Sequence, residues 1–150
     1  MKYTAGITMR DALEEDIARI LEIERTSFSL PWTHGSLLSE IYNEDSFFAV
    51  ALEKDRITGF VILRCAADEG ELLQIAVDEK ARRKGVASTL MDEALAWGRQ
   101  NGVASIYLEV RKSNKAAIEL YSKYGFASEG DRKNYYAGPV EDAAVMKLAL

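Results

Sequence analysis

The sequence predicts a mixed α/β (α+β) domain in which helices cover both faces of a central sheet. Three observations carry that prediction. Hydrophobic residues switch repeatedly between a period of two and a period near 3.6, so the elements read β-α-α-β-β-β-α-β-α-β-β. With 48% hydrophobic and 29% charged residues in a chain of 150, the composition is that of an ordinary globular protein. A chain of this size buries about 68 to 70% of its unfolded surface and needs neither disulfides nor a structural metal to hold a core. Finally, the only prolines are Pro31 and Pro139, and no Gly/Ser-rich, Pro-rich or single-charge block offers a linker or a repeat. Residues 1–150 are therefore expected to form one domain.

A short strand over Gly6 to Arg10 precedes a helix from about Leu13 to Thr26, where Leu13, Ile17, Ile20, Leu21 and Glu24 follow the i, i+3, i+4, i+7 pattern. After the Leu30-Pro31-Trp32 loop, Thr33 is the expected N-cap of a second helix through Leu37, Leu38, Ile41 and Tyr42, with His34 at its start. Phe47 to Glu53 and Ile57 to Ala66, parted by Lys54-Asp55-Arg56, read as a hairpin, and Leu72 to Val77 as a third strand. Helical spacing returns between Gly85 and Asn101, with Val86, Leu90, Ala94 and Trp97 on one stripe and Gly102 as the C-terminal cap. Ser105 to Val110 is a strand and Lys115 to Tyr124 a helix closed by Gly125. Two last strands, about Phe126 to Tyr136 and Ala144 to Leu148, are joined through Gly138-Pro139.

Charge and cysteine content narrow the function. Nineteen Lys and Arg against 24 Asp and Glu give a formal net charge of -5, the opposite of the basic excess that a phosphate backbone attracts, so no nucleic acid partner is expected. The single cysteine, Cys65, excludes an intramolecular disulfide and a thiolate metal cluster, and no metal site is expected. No apolar window approaches the roughly 20 residues that span a bilayer, and the N-terminus lacks an apolar stretch behind a basic patch. A reducing, cytoplasmic compartment without membrane attachment fits these features.

Two constellations could carry chemistry. Ala81-Arg82-Arg83-Lys84-Gly85-Val86-Ala87-Ser88 stands between the strand ending Ile75-Ala76-Val77-Asp78 and the long helix. A loop opening a helix there presents unpaired N–H groups and the positive end of the helix dipole, while Gly85 and Ala87 let a bulky anion approach the backbone. Taken alone, the pattern is equally a basic turn that caps a helix. The second runs from Tyr107-Leu108-Glu109-Val110-Arg111 through Ser113-Asn114 to Tyr121 and Tyr124-Gly125-Phe126. Taken alone, Glu109 reads as a solvated strand carboxylate, and Tyr121 as a core aromatic beside Ala117, Leu120 and Tyr124.

Arg82-x-x-Gly85-x-Ala87 resembles the Q/R-x-x-G-x-G/A signature of the GCN5-related N-acetyltransferase (GNAT) superfamily, and it lies after a strand and before a helix as that family requires. Ala87 stands where many relatives carry glycine. The second constellation resembles the L-E-V-R-x-S-N-x-x-A-x-x-L-Y-x-x-x-G-F run of one branch, the bacterial ribosomal-protein-alanine N-acetyltransferases of the RimI type. Leu30-Pro31-Trp32, Ile75-Ala76-Val77-Asp78 and Arg132-Lys133-Asn134-Tyr135-Tyr136 resemble that branch as well, so the likeness runs from about residue 7 to the C-terminus. The implied fold is the acyl-CoA N-acyltransferase fold, a mixed, mostly antiparallel sheet with helices on both faces. Acetyl-CoA is the implied cosubstrate, held by Arg82, Arg83, Lys84, Gly85, Val86, Ala87 and Ser88 at its pyrophosphate and by Ile75, Ala76 and Val77 along its arm, with Asn114 as a further contact.

The resemblance further implies that Glu109 is the general base and Tyr121 the general acid, and that Pro31, Trp32, Tyr135 and Tyr136 border the acceptor. A phenol, ordinarily near pKa 10, can protonate a leaving thiolate whose conjugate acid, judged from cysteine, is near 8.5. Reference values also rank acceptors: near pH 7.5 an α-amine is roughly a quarter to two fifths neutral, lysine only about one part in a thousand. The expected reaction is acetylation of a protein N-terminus, by resemblance that of a small-subunit ribosomal protein beginning with alanine. A small-molecule amine or a protein lysine is the alternative acceptor, and a non-catalytic acyl-CoA-binding module the alternative class. Members of the family are commonly monomers or weak dimers.

Overall fold

The computed structural model describes residues 6–150; residues 1–5, part of the N-terminal stretch read above for a leader, lie outside the described residues. Strands β1 (Ile7–Asp11), β2 (Ser46–Glu53), β3 (Arg56–Ala66), β4 (Glu69–Val77), β5 (Ser105–Arg111), β6 (Ala127–Tyr136) and β7 (Glu141–Ala149) form one sheet in the order β1-β2-β3-β4-β5-β7-β6. Every adjacent pair is antiparallel except β4 and β5. Helices α1 (Ile17–Ser27) and α2 (His34–Ile41) cover one face, α3 (Val86–Gln100) and α4 (Lys115–Lys123) the other.

Strand β3 shows how one sequence serves both layers. Phe60 and Ile62 pack with Ile17, Ile20, Ile23 and Leu37 beneath α1 and α2, while Val61 and Leu63 pack with Val86, Leu90, Met91 and Ala94 beneath α3. Burying such an aliphatic side chain contributes about 1.5–3 kcal/mol, so a strand apolar on both faces belongs near the middle of the sheet, where β3 lies. Trp97, on the α3 stripe, is half-buried and stacks on Phe47 with ring centroids 5.7 Å apart. Thr33 caps α2 as expected, its side chain accepting from the Ser36 amide at 3.1 Å.

Several boundaries differ from the hydrophobic pattern, each for a local reason. Leu13 does not begin a helix: it is extended (φ -117°, ψ 158°) and 45% exposed. The Asp16 carboxylate accepts from the Leu13 amide at 2.8 Å and is held by Arg10 at 2.7 and 3.0 Å, so Glu14–Asp16 make a 3-10 turn and the regular helix opens at Ile17. At the other end of the first helix the chain stays helical through Ser27. Strand β4 begins at Glu69 rather than Leu72, because the polar Glu69–Glu71 segment pairs with Arg64–Ala66 of β3 on one edge and with β5 on the other: Glu69 with Ser105, Gly70 with Ile106, Glu71 with Tyr107.

Beyond Glu71 and Tyr107 the two parallel strands no longer pair, although β4 continues to Val77 and β5 to Arg111. A bulge accompanies the parting. Leu63 pairs with Leu72 and Ile62 with Gln74, leaving Leu73 as the extra residue of β4, and a bulge bends its strand. The wedge opens at the C-terminal ends of both strands and faces the start of α3.

Gly59 lets α3 sit close to the sheet beside that wedge. A Cβ there would lie 2.8 Å from the Ala76 carbonyl oxygen and 3.1 Å from side-chain atoms of both Val86 and Leu90. Gly59→Ala is expected to lower unfolding free energy by about 2 kcal/mol, the usual cost of overpacking, as measured by urea denaturation. A variant within about 0.5 kcal/mol of the parent, the range of neutral surface changes, would show that α3 is not packed this tightly.

Candidate active site

The wedge is the floor of a cavity of about 710 Å³, walled by the C-terminal half of β4, the start of α3, the end of β5, α4, the α1–α2 loop and the end of β6. On one wall, Ile75, Ala76 and Val77 line the cavity, with their backbone edge unpaired where β5 has turned away. Val77 leads into Asp78, whose amide donates to the Thr58 carbonyl at 2.8 Å. The Asp78 carboxylate caps the next turn through the Lys80 amide at 3.1 Å and pairs with Arg19 of α1. That guanidinium, foremost, holds the Asp78 carboxyl below the usual carboxylate range, and the pair pins the end of β4 before the loop begins.

The loop turns through left-handed backbone at Arg83 (φ 65°) and Gly85 (φ 85°), the second a conformation that glycine adopts without a Cβ penalty. The amides of Val86, Ala87 and Ser88 precede any intrahelical acceptor, and these residues border the cavity together with Arg82, Arg83 and Gly85. Free N–H groups, a helix start and two guanidinium side chains make an anion cradle, which fits the pyrophosphate of a coenzyme A donor. Lys84 stands apart from the lining residues, with Nζ 3.5 Å from Glu53. Asn114 lines the cavity and caps α4, its Oδ1 accepting from the Ala117 amide at 3.2 Å.

On the facing wall, Leu108 and Val110 of β5 are buried while Glu109 points to the opposite face and into the cavity. Its Oε1 accepts from the Tyr135 hydroxyl at 3.4 Å. Arg132 Nε lies 2.7 Å from Oε2 as a close ion pair rather than an aligned hydrogen bond. Tyr135 and Tyr136 meet edge to face at 5.1 Å, with the Arg132 guanidinium 5.7 Å from the Tyr135 ring centre and that of Arg111 4.6 Å from the Tyr136 ring centre. Burial, and then the Glu109 charge, push the Tyr135 phenol up and the Tyr136 phenol up to about 12.

The register of β6 slips between Arg132 and Tyr136, with Asn134 at φ 52°, and the Tyr135 and Tyr136 rings both line the cavity. Tyr121 enters from α4, buried against Phe126 at a centroid distance of 5.9 Å, and burial keeps its phenol protonated far above the ordinary tyrosine range. Trp32 lines the cavity, whereas Pro31 is exposed and outside its lining.

Sequence reasoning left three residues of this region without a role. Glu24, read only as part of the α1 stripe, is fully buried. Its Oε1 accepts from the Trp32 amide at 3.0 Å and from Gln74 Nε2 at 3.2 Å, which fastens the α1–α2 loop to β4. A carboxylate on an apolar helical stripe was the available signal. Arg111 and Arg132 stood inside quoted motifs without an assigned role, and nothing local in the sequence shows what they touch.

The fold and this site define an acyl-CoA-dependent N-acyltransferase. Residues 17–126 match the Acetyltransferase (GNAT) family, and the chain belongs to it; the acyl donor of that family is acetyl-CoA. It is 34% identical over 143 residues to the ribosomal protein bS18-alanine N-acetyltransferase of Haemophilus ducreyi, covering 92% of this chain and 97% of that one. The crystal structure of the ribosomal-protein-S18-alanine N-acetyltransferase from Escherichia coli superposes with a TM-score of 0.88 at 31% identity, over 95% of this chain and 93% of that one. Ard1 from Thermoplasma volcanium superposes with a TM-score of 0.90 at 32% identity, over 97% and 99% of the two chains.

Burial raises the Glu24 pKa, against the smaller lowering effects of the Trp32 amide and Gln74. An acid whose pKa is raised by folding weakens the fold above that pKa, and the cost is relieved as pH falls through it. Glu24→Gln keeps an oxygen for both donors without a charge. It is expected to melt roughly 2 to 4 °C above the parent at pH 8, the shift that about 1 kcal/mol produces at this size, with the gap closing toward pH 5. A variant less stable than the parent at pH 8, by thermal melting followed by circular dichroism, would mean that the charged form is the one the fold prefers.

Proposed function

We propose that this chain transfers acetyl from acetyl-CoA to the α-amine of a protein N-terminus, and that its acceptor is a small-subunit ribosomal protein with N-terminal alanine. One observation carries the reading: Glu109 and Tyr121 line the same cavity as the anion cradle at the start of α3, on different walls. The names of the bacterial relatives support the acceptor, and the net charge of -5 suits a basic partner better than a nucleic acid. We assign the reaction to the cytoplasm.

In this mechanism the donor is held by the amides and guanidinium groups of Arg82–Ser88 and by the free edge of Ile75–Val77. Bound there, acetyl-CoA supplies the activated acyl carbon as a thioester. The Glu109 carboxylate takes the proton that the attacking amine must lose. Arg132 and Tyr135 orient that carboxylate. Tyr121, whose phenol lines the cavity from α4, donates its hydroxyl proton to the thiolate that leaves as the new amide bond forms and the C–S bond breaks. Trp32, Tyr135 and Tyr136 border the side from which the acceptor approaches.

Glu109→Gln and Tyr121→Phe are each expected to lower kcat by about 10²-fold or more, the usual contribution of a positioned acid or base, while acetyl-CoA binding by calorimetry stays within about twofold. The assay is mass spectrometry of a peptide copying the ribosomal N-terminus, beside a peptide with a blocked α-amine and free lysines. Acetyl on the α-amine of the first peptide alone is the expected outcome. Modification of lysines in both peptides, or of neither peptide while acetyl-CoA is bound, would overturn the acceptor; unchanged turnover in both variants would overturn the residue roles.

A further inference from the structure

Arg111 ends β5 at the rim of the cavity, with its side chain only 19% exposed. Its guanidinium makes contacts that nothing near it in sequence requires. Nη2 donates to the Ser29 hydroxyl of the α1–α2 loop at 2.9 Å and to the Ala137 carbonyl at 2.8 Å; Nη1 donates to the Pro139 carbonyl at 2.9 Å and to Glu141 at 3.3 Å. The guanidinium carbon, Cζ, lies over the Tyr136 ring, 4.6 Å from its centre. Glu141 in turn accepts from the Ser113 amide at 2.7 Å and the Ser113 hydroxyl at 3.0 Å, which carries the same network to the start of α4. Among the described residues no other side chain hydrogen-bonds to both the α1–α2 loop and the β6–β7 connection.

These two segments wall the acceptor side of the cavity, through Trp32 on one and Tyr135 and Tyr136 on the approach to the other. Both are held to the body of the fold by side-chain hydrogen bonds: Glu24 accepts from the Trp32 amide, and Arg111 donates to Ser29, Ala137 and Pro139. One guanidinium nitrogen, Nη2, bridges the two segments, while Nη1 adds the Pro139 carbonyl and Glu141 on the β6–β7 side. A lysine ammonium lacks the second nitrogen and the planar face set against Tyr136, so it cannot reproduce the whole set of contacts.

We propose that Arg111 is a positioning residue that ties the α1–α2 loop to the β6–β7 connection and so sets the shape of the acceptor groove, leaving the acetyl-CoA half of the cavity unaffected. The consequence for turnover rests on the acceptor reading above; the tie itself does not. Loss of the tie lets the two walls move independently, so a peptide acceptor meets a groove that must be ordered when it binds, while the cradle at Arg82–Ser88 keeps its own supports in Asp78 and Arg19.

The test compares Arg111→Lys, Arg111→Ala and Ser29→Ala with the parent by amide hydrogen exchange and by steady-state kinetics on the N-terminal peptide. Exchange is expected to rise together in residues 28–32 and 136–141 for both Arg111 variants, to a smaller extent for Ser29→Ala, and to stay unchanged in residues 82–88. The KM for the peptide is expected to rise about ten- to a hundredfold, the effect of losing charged hydrogen bonds that order a site, with the KM for acetyl-CoA within about twofold. Faster exchange in only one segment or in neither, or a KM for acetyl-CoA that rises with that of the peptide, would overturn the proposal. Should the parent itself leave the peptide unmodified, the acceptor reading fails, and the exchange pattern alone still upholds or overturns the tie.

Discussion

The site depends on one interruption of hydrogen bonding, the end of β4–β5 pairing at Glu71 and Tyr107. A parallel pair held along its full length would close the sheet and leave no room between the strands. Because pairing stops while both strands continue, β4 keeps a free backbone edge over Ile75–Val77, and β5 turns Glu109 and Arg111 toward the opening. The Leu73 bulge lies at the same point, and bulges both bend a strand and re-aim its side chains. The same half of β4 that an acyl-thioester arm can pair with is thus unavailable to β5.

Charge is divided across the opening in a way that follows from the elements themselves. The start of α3 brings the positive end of a helix, reinforced by Arg82 and Arg83. The end of β5 brings a carboxylate, balanced by Arg132 and flanked by two phenols that its charge helps to keep protonated. Tyr121 is kept protonated differently, by burial in the apolar layer under α4. The cavity therefore presents an anion-binding wall, a carboxylate set beside a guanidinium, and three phenols whose burial favours their neutral form.

Elements whose cause is local were readable from the sequence. Thr33 caps α2, the α3 stripe faces the sheet, and Glu109 alternates with Leu108 and Val110 because capping and periodicity act over a few residues. What was not readable depends on partners far along the chain. Glu69–Glu71 carries no apolar signal and becomes strand because it is paired on both edges, by β3 across the hairpin and by β5. Leu13 has the right spacing for a helix, yet the Asp16 carboxylate takes its amide and the chain stays extended. Alternation along β6 would have put Tyr135 and Tyr136 on opposite faces, but a slipped register that no residue type announces brings both into the cavity.

The same distinction separates the two halves of the site. The donor half is built from backbone: a free strand edge and a helix start, supported by a short-range cap at Asp78. Such a device tolerates wide change in side chains, and its signature is a brief pattern around Gly85. The opposite half, the one proposed above to receive the acceptor, is built from side chains joining segments distant in sequence: Glu24 fastening the Trp32 amide to Gln74, and Arg111 reaching Ser29 from 82 residues away. Each such contact needs a particular donor opposite a particular acceptor, so single substitutions can reshape this half while the donor half stays intact.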